Sequence, residues 1–237
     1  ELGKINGKEY IVKTIVTTET IKTIAERNGV EMYDVYTGFK WIANVMRENE
    51  GKKNYIGGGE ESYGFLCEDF VRDKDAVSAC VILAEIAAWA KDQGLSLYQL
   101  LQKIYVEYGF SKEKGISVVK KGKSGAEEIE AMMKKFRENP LTEIAGSKVT
   151  YFYDYSTLKG KDYAENETVT LDMPTTSNVL QYFTEDNTKV SIRPSGTEPK
   201  IKFYCEVHSK VKSIDELPEA EKAAEEKINQ IKASLGI

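Results

Sequence analysis

Tyr10-Ile11-Val12-Lys13-Thr14-Ile15-Val16 is the stretch from which the fold of this chain is read. Its β-branched and aromatic residues make a mostly apolar run, which reads as a buried strand. The next residues change period. Thr18 stands where a helix cap belongs, Glu19 falls in the first turn, and Ile21, Ile24 and Ala25 share one face of a helix running through Asn28. Gly29 sits at the expected stop. A second short strand follows at Glu31–Val35. Strand, helix and strand in such close succession are the unit of a layered α/β domain.

The pattern continues outward. Thr37-Gly38 breaks the chain, and Phe39, Ile42, Val45 and Met46 recur at helical spacing. Tyr55-Ile56 reads as a short strand ending in Gly57-Gly58-Gly59, with Phe65-Leu66 pairing beside it. Residues 75–92 read as a long, largely buried helix ended by Gly94, with Asp73 or Asp75 as its cap. Ser96 caps another helix to about Glu107, with Leu97, Leu100, Leu101 and Ile104 inward. Near residue 108 the pattern changes. A strand is expected at 115–119 and an amphipathic helix from Ser124 to Asn139, stopped by Pro140. Four β segments flank or follow it, at 148–155, 178–183, 189–193 and 201–208, the middle two joined by the turn Glu185-Asp186-Asn187. A last helix spans 215–235. The expected fold class is therefore α/β. A layered α/β domain with a mixed sheet (1–107) precedes an α+β domain with an antiparallel sheet and packed helices (108–237).

Composition sets limits. Of 237 residues, 41% are hydrophobic and 30% charged, which excludes a chain disordered throughout. The longest apolar run, within 76–90, is interrupted by Ser78 and Glu85 and is too short to span a bilayer. Thirty-three basic against 38 acidic residues give net −5, which argues against a general nucleic-acid binder. Cys67, Cys80 and Cys205 are odd in number and lack a C-x-x-C spacing, so neither a disulfide framework nor a Cys-rich zinc site is expected, and a reducing cytoplasm fits. The single His208 removes catalysis by His pairs. Because the chain opens at Glu1 without Met, it is expected to be part of a longer protein.

Two loops carry chemistry. Arg193-Pro194-Ser195-Gly196-Thr197-Glu198-Pro199-Lys200 lies between two β segments. Its prolines and glycine make a tight, stiff loop whose backbone N–H groups can approach a ligand, Ser195 and Thr197 add hydroxyls, Arg193 offers a fork for phosphate oxygens, and Lys200 adds a point charge. The competing reading is a rigid hairpin whose Arg193 pairs with Glu198. Gly57-Gly58-Gly59-Glu60-Glu61-Ser62-Tyr63-Gly64 is a close-lying loop with two carboxylates and a hydroxyl, suited to sugar hydroxyls or simply a solvated turn. Glycoside hydrolysis by Glu60 and Glu61 is disfavoured, because adjacent residues point apart whereas that mechanism sets its carboxyls on opposite sides of one bond. Lys13 interrupts an apolar strand, so it either exits to solvent or is placed for a ligand. Lys40, opening a helix after Thr37-Gly38, is an oxyanion contact or an ordinary surface lysine. Trp41 and Trp89 are expected in the core. Tyr151, Tyr153 and Tyr155 should share one sheet face, and Lys120-Lys121-Gly122-Lys123 reads as a solvated basic turn.

These motifs, in this order, resemble the α-D-phosphohexomutases, the phosphoglucomutase/phosphomannomutase family. The G-E-E-S-Y-G loop at 59–64 looks like the sugar-specificity loop of that family's third domain, and 193–200 looks like the phosphate loop of its fourth. Thr37-Gly38-Phe39-Lys40 is similar to its T-G-x-K stretch, and Val12-Lys13-Thr14 to its strand-borne lysine. The resemblance implies interconversion of hexose 1-phosphate and hexose 6-phosphate through a phosphoserine and a 1,6-bisphosphate, with Mg2+ and a hexose 1,6-bisphosphate activator. It implies that Gly38, Gly59, Glu60 and Ser62 bind the sugar. Arg193, Ser195, Gly196, Thr197 and Lys200 would bind the distal phosphate, with Lys13 and Lys40 near the reacting end. The family's serine loop (T-A-S-H-N-P type) and its D-G-D-x-D-R metal loop are absent from these 237 residues, so the resemblance is to domains three and four, with no metal ligand and no turnover expected from this chain alone. Its expected partners are a phosphorylated hexose and the missing N-terminal domains, with no nucleic acid and no membrane. Phe39, where some members have histidine, favours the phosphoglucomutase branch. A phosphopentomutase-type member and a non-catalytic phosphosugar-binding module are the alternatives.

Overall fold

The computed structural model describes residues 5–120, 122–196 and 198–237, and of Lys123 the backbone only. The chain divides between Gly109 and Phe110 into two compact units. The first runs β1 (Glu9–Thr14), α1 (Thr20–Arg27), β2 (Glu31–Val35), α2 (Phe39–Asn49), β3 (Asn54–Gly59), β4 (Phe65–Cys67), α3 (Ala76–Asp92) and α4 (Leu97–Tyr108). Among the described residues its sheet is four-stranded, in the order β2-β1-β3-β4. β1 pairs in parallel with both β2 and β3, and β4 is antiparallel to β3, so the sheet is mixed.

The even residues of β1 explain the core. Tyr10 and Val12 point to one face and meet Phe39, Ile42 and Met46, the inward stripe of α2. Tyr10 packs edge-on to Tyr33 and tilted against Tyr55, with ring centroids 5.6 and 5.5 Å apart. Ile42 is wholly buried, which contributes roughly 2–3 kcal/mol.

Two expectations for this unit change and one is narrowed. The N-cap of α1 is Glu19, which makes no side-chain cap bond, while the Thr18 hydroxyl accepts from the amide of Thr20 at 3.2 Å. Asp75, not Asp73, caps α3, accepting from the amides of Val77 and Ser78. α3 itself is not largely buried. Val77, Val81, Leu83 and Trp89 are 46–74% exposed and only Ala90 is buried. The helix is apolar nearly all round, and it rests on the three-residue β4 and on α4, too little surface to cover it.

The capping box expected at Ser96 is present. Its hydroxyl accepts from the Gln99 amide at 3.2 Å, and the Gln99 side chain accepts from the Ser96 amide at 2.9 Å. Ser96→Ala is expected to cost about 1 kcal/mol. Urea unfolding should show a lower midpoint with an unchanged slope; an unmoved midpoint would rule out the cap.

The second unit runs β5 (Phe110–Val119), α5 (Gly122–Glu138), β6 (Glu143–Ile144), β7 (Ser147–Asp154), β8 (Lys159–Asp162), β9 (Glu167–Thr170), β10 (Leu180–Thr184), β11 (Lys189–Pro194), β12 (Lys200–Ser209), a 3-10 turn (Ile214–Glu216) and α6 (Leu217–Leu235). Among the described residues its sheet is eight-stranded and antiparallel in order β5-β12-β11-β10-β7-β8-β9, with β6 on β7. Leu180 and Tyr182, Val190 and Ile192, and Ile201 and Phe203 alternate onto the buried face under α5 and α6. Phe136 of α5 stands edge-on to Phe203, and its carbonyl accepts from the Tyr182 hydroxyl at 3.1 Å.

Here β5 begins five residues before the expected strand, and the β8–β9 hairpin was not anticipated. Gly122 and Lys123 belong to α5 rather than to a basic turn, Lys120 pairs with Glu128 at 2.9 Å, and Lys121 lies outside the described residues. The hairpin turn at 185–187 forms as expected, with Asn187 at φ +61°. Tyr151, Tyr153 and Tyr155 follow one another, the first pair of rings tilted and the second edge-on, with centroids 5.9 and 6.4 Å apart.

Candidate functional site

In the first unit the parallel strands β1, β2 and β3 all end at one edge of the sheet. The chain leaves β1 toward β2 on one side and then crosses to β3 on the other, so β1 and β3 flank the point where the winding reverses. Open α/β sheets bind ligands in that crevice, outside the carboxyl ends of the strands. The loops emerging there are 15–19, 36–38 and 60–64.

The structure joins two of the sequence motifs at this edge. The Gly38 amide, at the start of α2, donates to Glu60 Oε1 at 2.5 Å. The N-terminus of a helix favours a carboxylate, and here Glu60 supplies it. Gly38 has φ +117°, which favours glycine. The Glu60 amide donates to the Gly64 carbonyl at 2.7 Å, closing the loop. Gly59 permits that closure, because a Cβ there would lie 2.4 Å from the Gly64 oxygen. Thr14, buried at the end of β1, contacts Thr17 at 2.8 Å and Glu61 Oε2 at 3.4 Å. Ser62 donates to Glu61 Oε1 at 3.2 Å. Tyr63, wholly exposed at φ +62°, forms the tip.

Lys13 does not exit to solvent. Its side chain is buried and its Nζ donates to Asp34 Oδ1 at 2.7 Å, Glu19 Oε1 at 2.9 Å and the Thr17 carbonyl at 3.4 Å. Burial alone would depress the ammonium, but the Asp34 and Glu19 carboxylates outweigh it and raise its pKa. Sequence reading missed both partners. Asp34 is the register partner of Lys13 on the neighbouring strand, a relation that the pairing of β1 with β2 sets. Lys40 is exposed, 5.0 Å over the Trp41 ring, and lines a groove of about 570 Å3 with Asn44, Arg47, Arg72 and Asp73. Trp41 packs half-buried against the core, whereas Trp89 is 46% exposed, against expectation.

In the second unit the β11–β12 loop is tightly tied. The Ser195 amide donates to the Lys200 carbonyl at 2.7 Å, the Lys200 amide to the Glu198 carbonyl at 2.7 Å, and the Glu198 amide to Ser195 Oγ at 3.3 Å. Gly196 is exposed, with nothing within 4 Å of the place a Cβ would occupy. Thr197 lies outside the described residues. Glu198 pairs with Lys200 at 2.6 Å, not with Arg193, and that bond holds the Glu198 carboxyl below its usual range. Among the described residues the half-buried Arg193 guanidinium has no carboxylate partner. Lys202, unremarked in the sequence, is its register partner, with Nζ 5.9 Å from the Tyr204 ring. His208 lies near the end of β12, 2.8 Å from Glu206 Oε1.

Mg2+ is implied by the resemblance. Among the described residues no three His, Cys, Asp or Glu side chains converge, so they offer that ion no site.

A mixed sheet with a glycine-rich carboxylate loop at its carboxyl edge, followed by an antiparallel unit with a cationic hairpin loop, defines a two-unit α/β protein. Two family models match it: "Phosphoglucomutase/phosphomannomutase, alpha/beta/alpha domain III" over residues 1–108 and "Phosphoglucomutase/phosphomannomutase, C-terminal domain" over 117–224. The chain belongs to the phosphoglucomutase/phosphomannomutase family and carries those two domains. It is 35% identical over 208 residues to a phosphoglucomutase of Staphylococcus haemolyticus, covering 88% of this chain and 38% of the relative. To one of Staphylococcus aureus it is 40% identical over 194 residues, covering 82% and 35%. The chain thus spans little more than a third of the length of these relatives. The solved open form of Paramecium pp63/parafusin, a phosphoglucomutase, shares the fold with a TM-score of 0.57 at 19% identity, covering 86% of this chain and 33% of that one. Among the described residues no helix is long and apolar enough to cross a membrane.

Proposed function

We propose that this chain is the sugar- and distal-phosphate-holding half of a phosphohexomutase that interconverts hexose 1-phosphate and hexose 6-phosphate. Glucose phosphate is the substrate of choice, since the relatives at 35–40% identity are named phosphoglucomutases. The observation that carries this reading is Arg193. It is a half-buried guanidinium with no carboxylate partner among the described residues, at the mouth of a loop whose one nearby carboxylate, Glu198, is already held by Lys200.

In this reading Arg193 grips the non-reacting phosphate bidentately, Ser195, Gly196 and Thr197 supply further donors, and Lys200 adds charge. Glu60 and Ser62, on the loop anchored to Gly38, hold sugar hydroxyls, with Gly59 allowing close approach. Lys40 and Lys13 lie toward the reacting end. The phosphoserine, Mg2+ and the 1,6-bisphosphate belong to the missing N-terminal domains, which are this chain's partner in the full enzyme. Phosphoryl transfer depends mainly on positioning and electrostatics, so dividing sugar grip from phosphate donor between domains is chemically sound. The cytoplasm is the compartment of this reading, supported by three cysteines that are all free thiols.

The test is a titration of the chain with glucose 1-phosphate, followed by NMR, beside free glucose and Arg193→Ala. Removing a charged donor to phosphate is expected to weaken binding about tenfold or more. Signals from residues 59–64 and 193–200 should both move with the phosphosugar. An Arg193→Ala chain that binds as well as the parent would exclude the phosphate clamp.

A further inference from the structure

We infer that Glu61 is a positioning residue that makes Ser62 a hydrogen-bond acceptor toward the sugar. The inference rests on the proposed sugar role of the 59–64 loop. Glu61 is not one of the two residues assigned to sugar hydroxyls there, yet its carboxylate reaches Thr14 at the end of β1.

The argument follows from what each group can donate. A carboxylate accepts only, whereas a hydroxyl has one proton to give and lone pairs to receive. Ser62 Oγ lies 3.2 Å from Glu61 Oε1, and Thr14 Oγ1 lies 3.4 Å from Glu61 Oε2. Both protons therefore point at Glu61. Thr14 is wholly buried and its hydroxyl also contacts Thr17 Oγ1 at 2.8 Å. With its own proton committed to Glu61, Thr14 receives in that contact and Thr17 donates. The chain Thr17 to Thr14 to Glu61, met from the other side by Ser62, has one direction throughout. It runs from the end of β1, beside the winding reversal, to the loop tip.

The consequence falls on Ser62. Its proton is spent on Glu61, so what it offers a ligand is its lone pairs. A sugar hydroxyl meeting Ser62 must donate. Contacts at 3.2–3.4 Å are long for a hydroxyl and a carboxylate. Such bonds tighten when a ligand orders the loop. Glutamine at position 61 would keep the shape but offer an N–H, freeing Ser62 to turn its proton outward.

The test compares the chain with Glu61→Gln and Ser62→Ala against glucose 1-phosphate and its monodeoxyfluoro analogues, in which C–F accepts but cannot donate. The parent is expected to bind one analogue about tenfold more weakly than glucose 1-phosphate, and Glu61→Gln to lose most of that discrimination. Inorganic phosphate should bind equally to parent and Glu61→Gln, because the phosphate loop is untouched. If Ser62→Ala weakens the sugar phosphate while Glu61→Gln keeps the full discrimination, the inference fails and the sugar loop stands. If Ser62→Ala changes nothing, Ser62 has no contact with the sugar and the inference falls, while the sugar role of Glu60 stands. A ligand-free measurement completes the test. Thr14→Val removes the hydroxyl at nearly equal shape, and the amide signals of Glu61 and Ser62 should shift. Unmoved signals would break the chain from β1 to the loop and overturn the inference whatever the ligands do.

Discussion

A Gly58→Ala chain is expected to lose most of the stability of its first unit. Gly58 lies in β3, in register with Val12 of β1. A Cβ there would sit 2.1 Å from the Val12 carbonyl oxygen, 3.0 Å from its carbon and 2.8 Å from the Tyr55 hydroxyl. The first two obstacles are backbone in the central strand, which cannot yield without breaking the pairing that holds β1 between β2 and β3. A steric conflict of this kind costs on the order of 4 kcal/mol or more, a large part of the 5–15 kcal/mol that a domain has in total. Urea unfolding followed by tryptophan fluorescence should show the first-unit transition displaced to much lower denaturant. Gly196→Ala is the control, since nothing lies within 4 Å of the added methyl. A Gly58→Ala midpoint equal to that of the control would mean that β1 and β3 do not pair in this register.

Lys13→Ala is the second large effect. The lysine side chain is buried, and its two carboxylate partners are partly exposed, Glu19 at 26% and Asp34 at 36%. Removing one member of a buried ion pair costs roughly 3–5 kcal/mol, and the access of both carboxylates to water places this case near roughly 3 kcal/mol. The pH dependence has a definite sign. Burial disfavours the ammonium, but Asp34 and Glu19 raise its folded pKa above the ordinary 10.5. Its contribution is therefore complete below 10.5 and is lost as pH climbs through the higher folded value. The gap between parent and Lys13→Ala midpoints should be wide at neutral pH and narrow in strong alkali. A gap that stays constant would deny the ion pair its role. The same geometry bears on function. A substrate phosphate approaching Lys13 must compete with two carboxylates already bonded to its Nζ, so its first work in this chain is to tie the end of β1 to β2 and to the loop before α1.

Much of the fold was legible because it is locally coded. The apolar run from Tyr10, the 3.6-residue stripe of Phe39, Ile42 and Met46, and the Ser96 cap each depend on residues a few positions apart. The β segments at 178–183 and 189–193 were equally plain. The β8–β9 hairpin was not, because Lys159–Asp162 and Glu167–Thr170 sit at the outer edge of the sheet and carry few apolar residues to mark a buried face.

Partnership was the part only the tertiary structure decided. The sequence by itself determined which residues form the two loops, and their order and composition sufficed for the family resemblance. It left open whether Arg193 pairs with Glu198 or stays available to a phosphate, where the ammonium of Lys13 goes, and what the carboxylates of the 59–64 loop hold. Those choices turn on strand register and on loops brought together from distant positions, as when the Gly38 amide meets Glu60 or Thr14 meets Glu61. The exposure of α3 is of the same kind. A helix's apolar composition is written in its own residues, but whether that surface is covered depends on how much sheet its neighbours provide, and β4 is only three residues long.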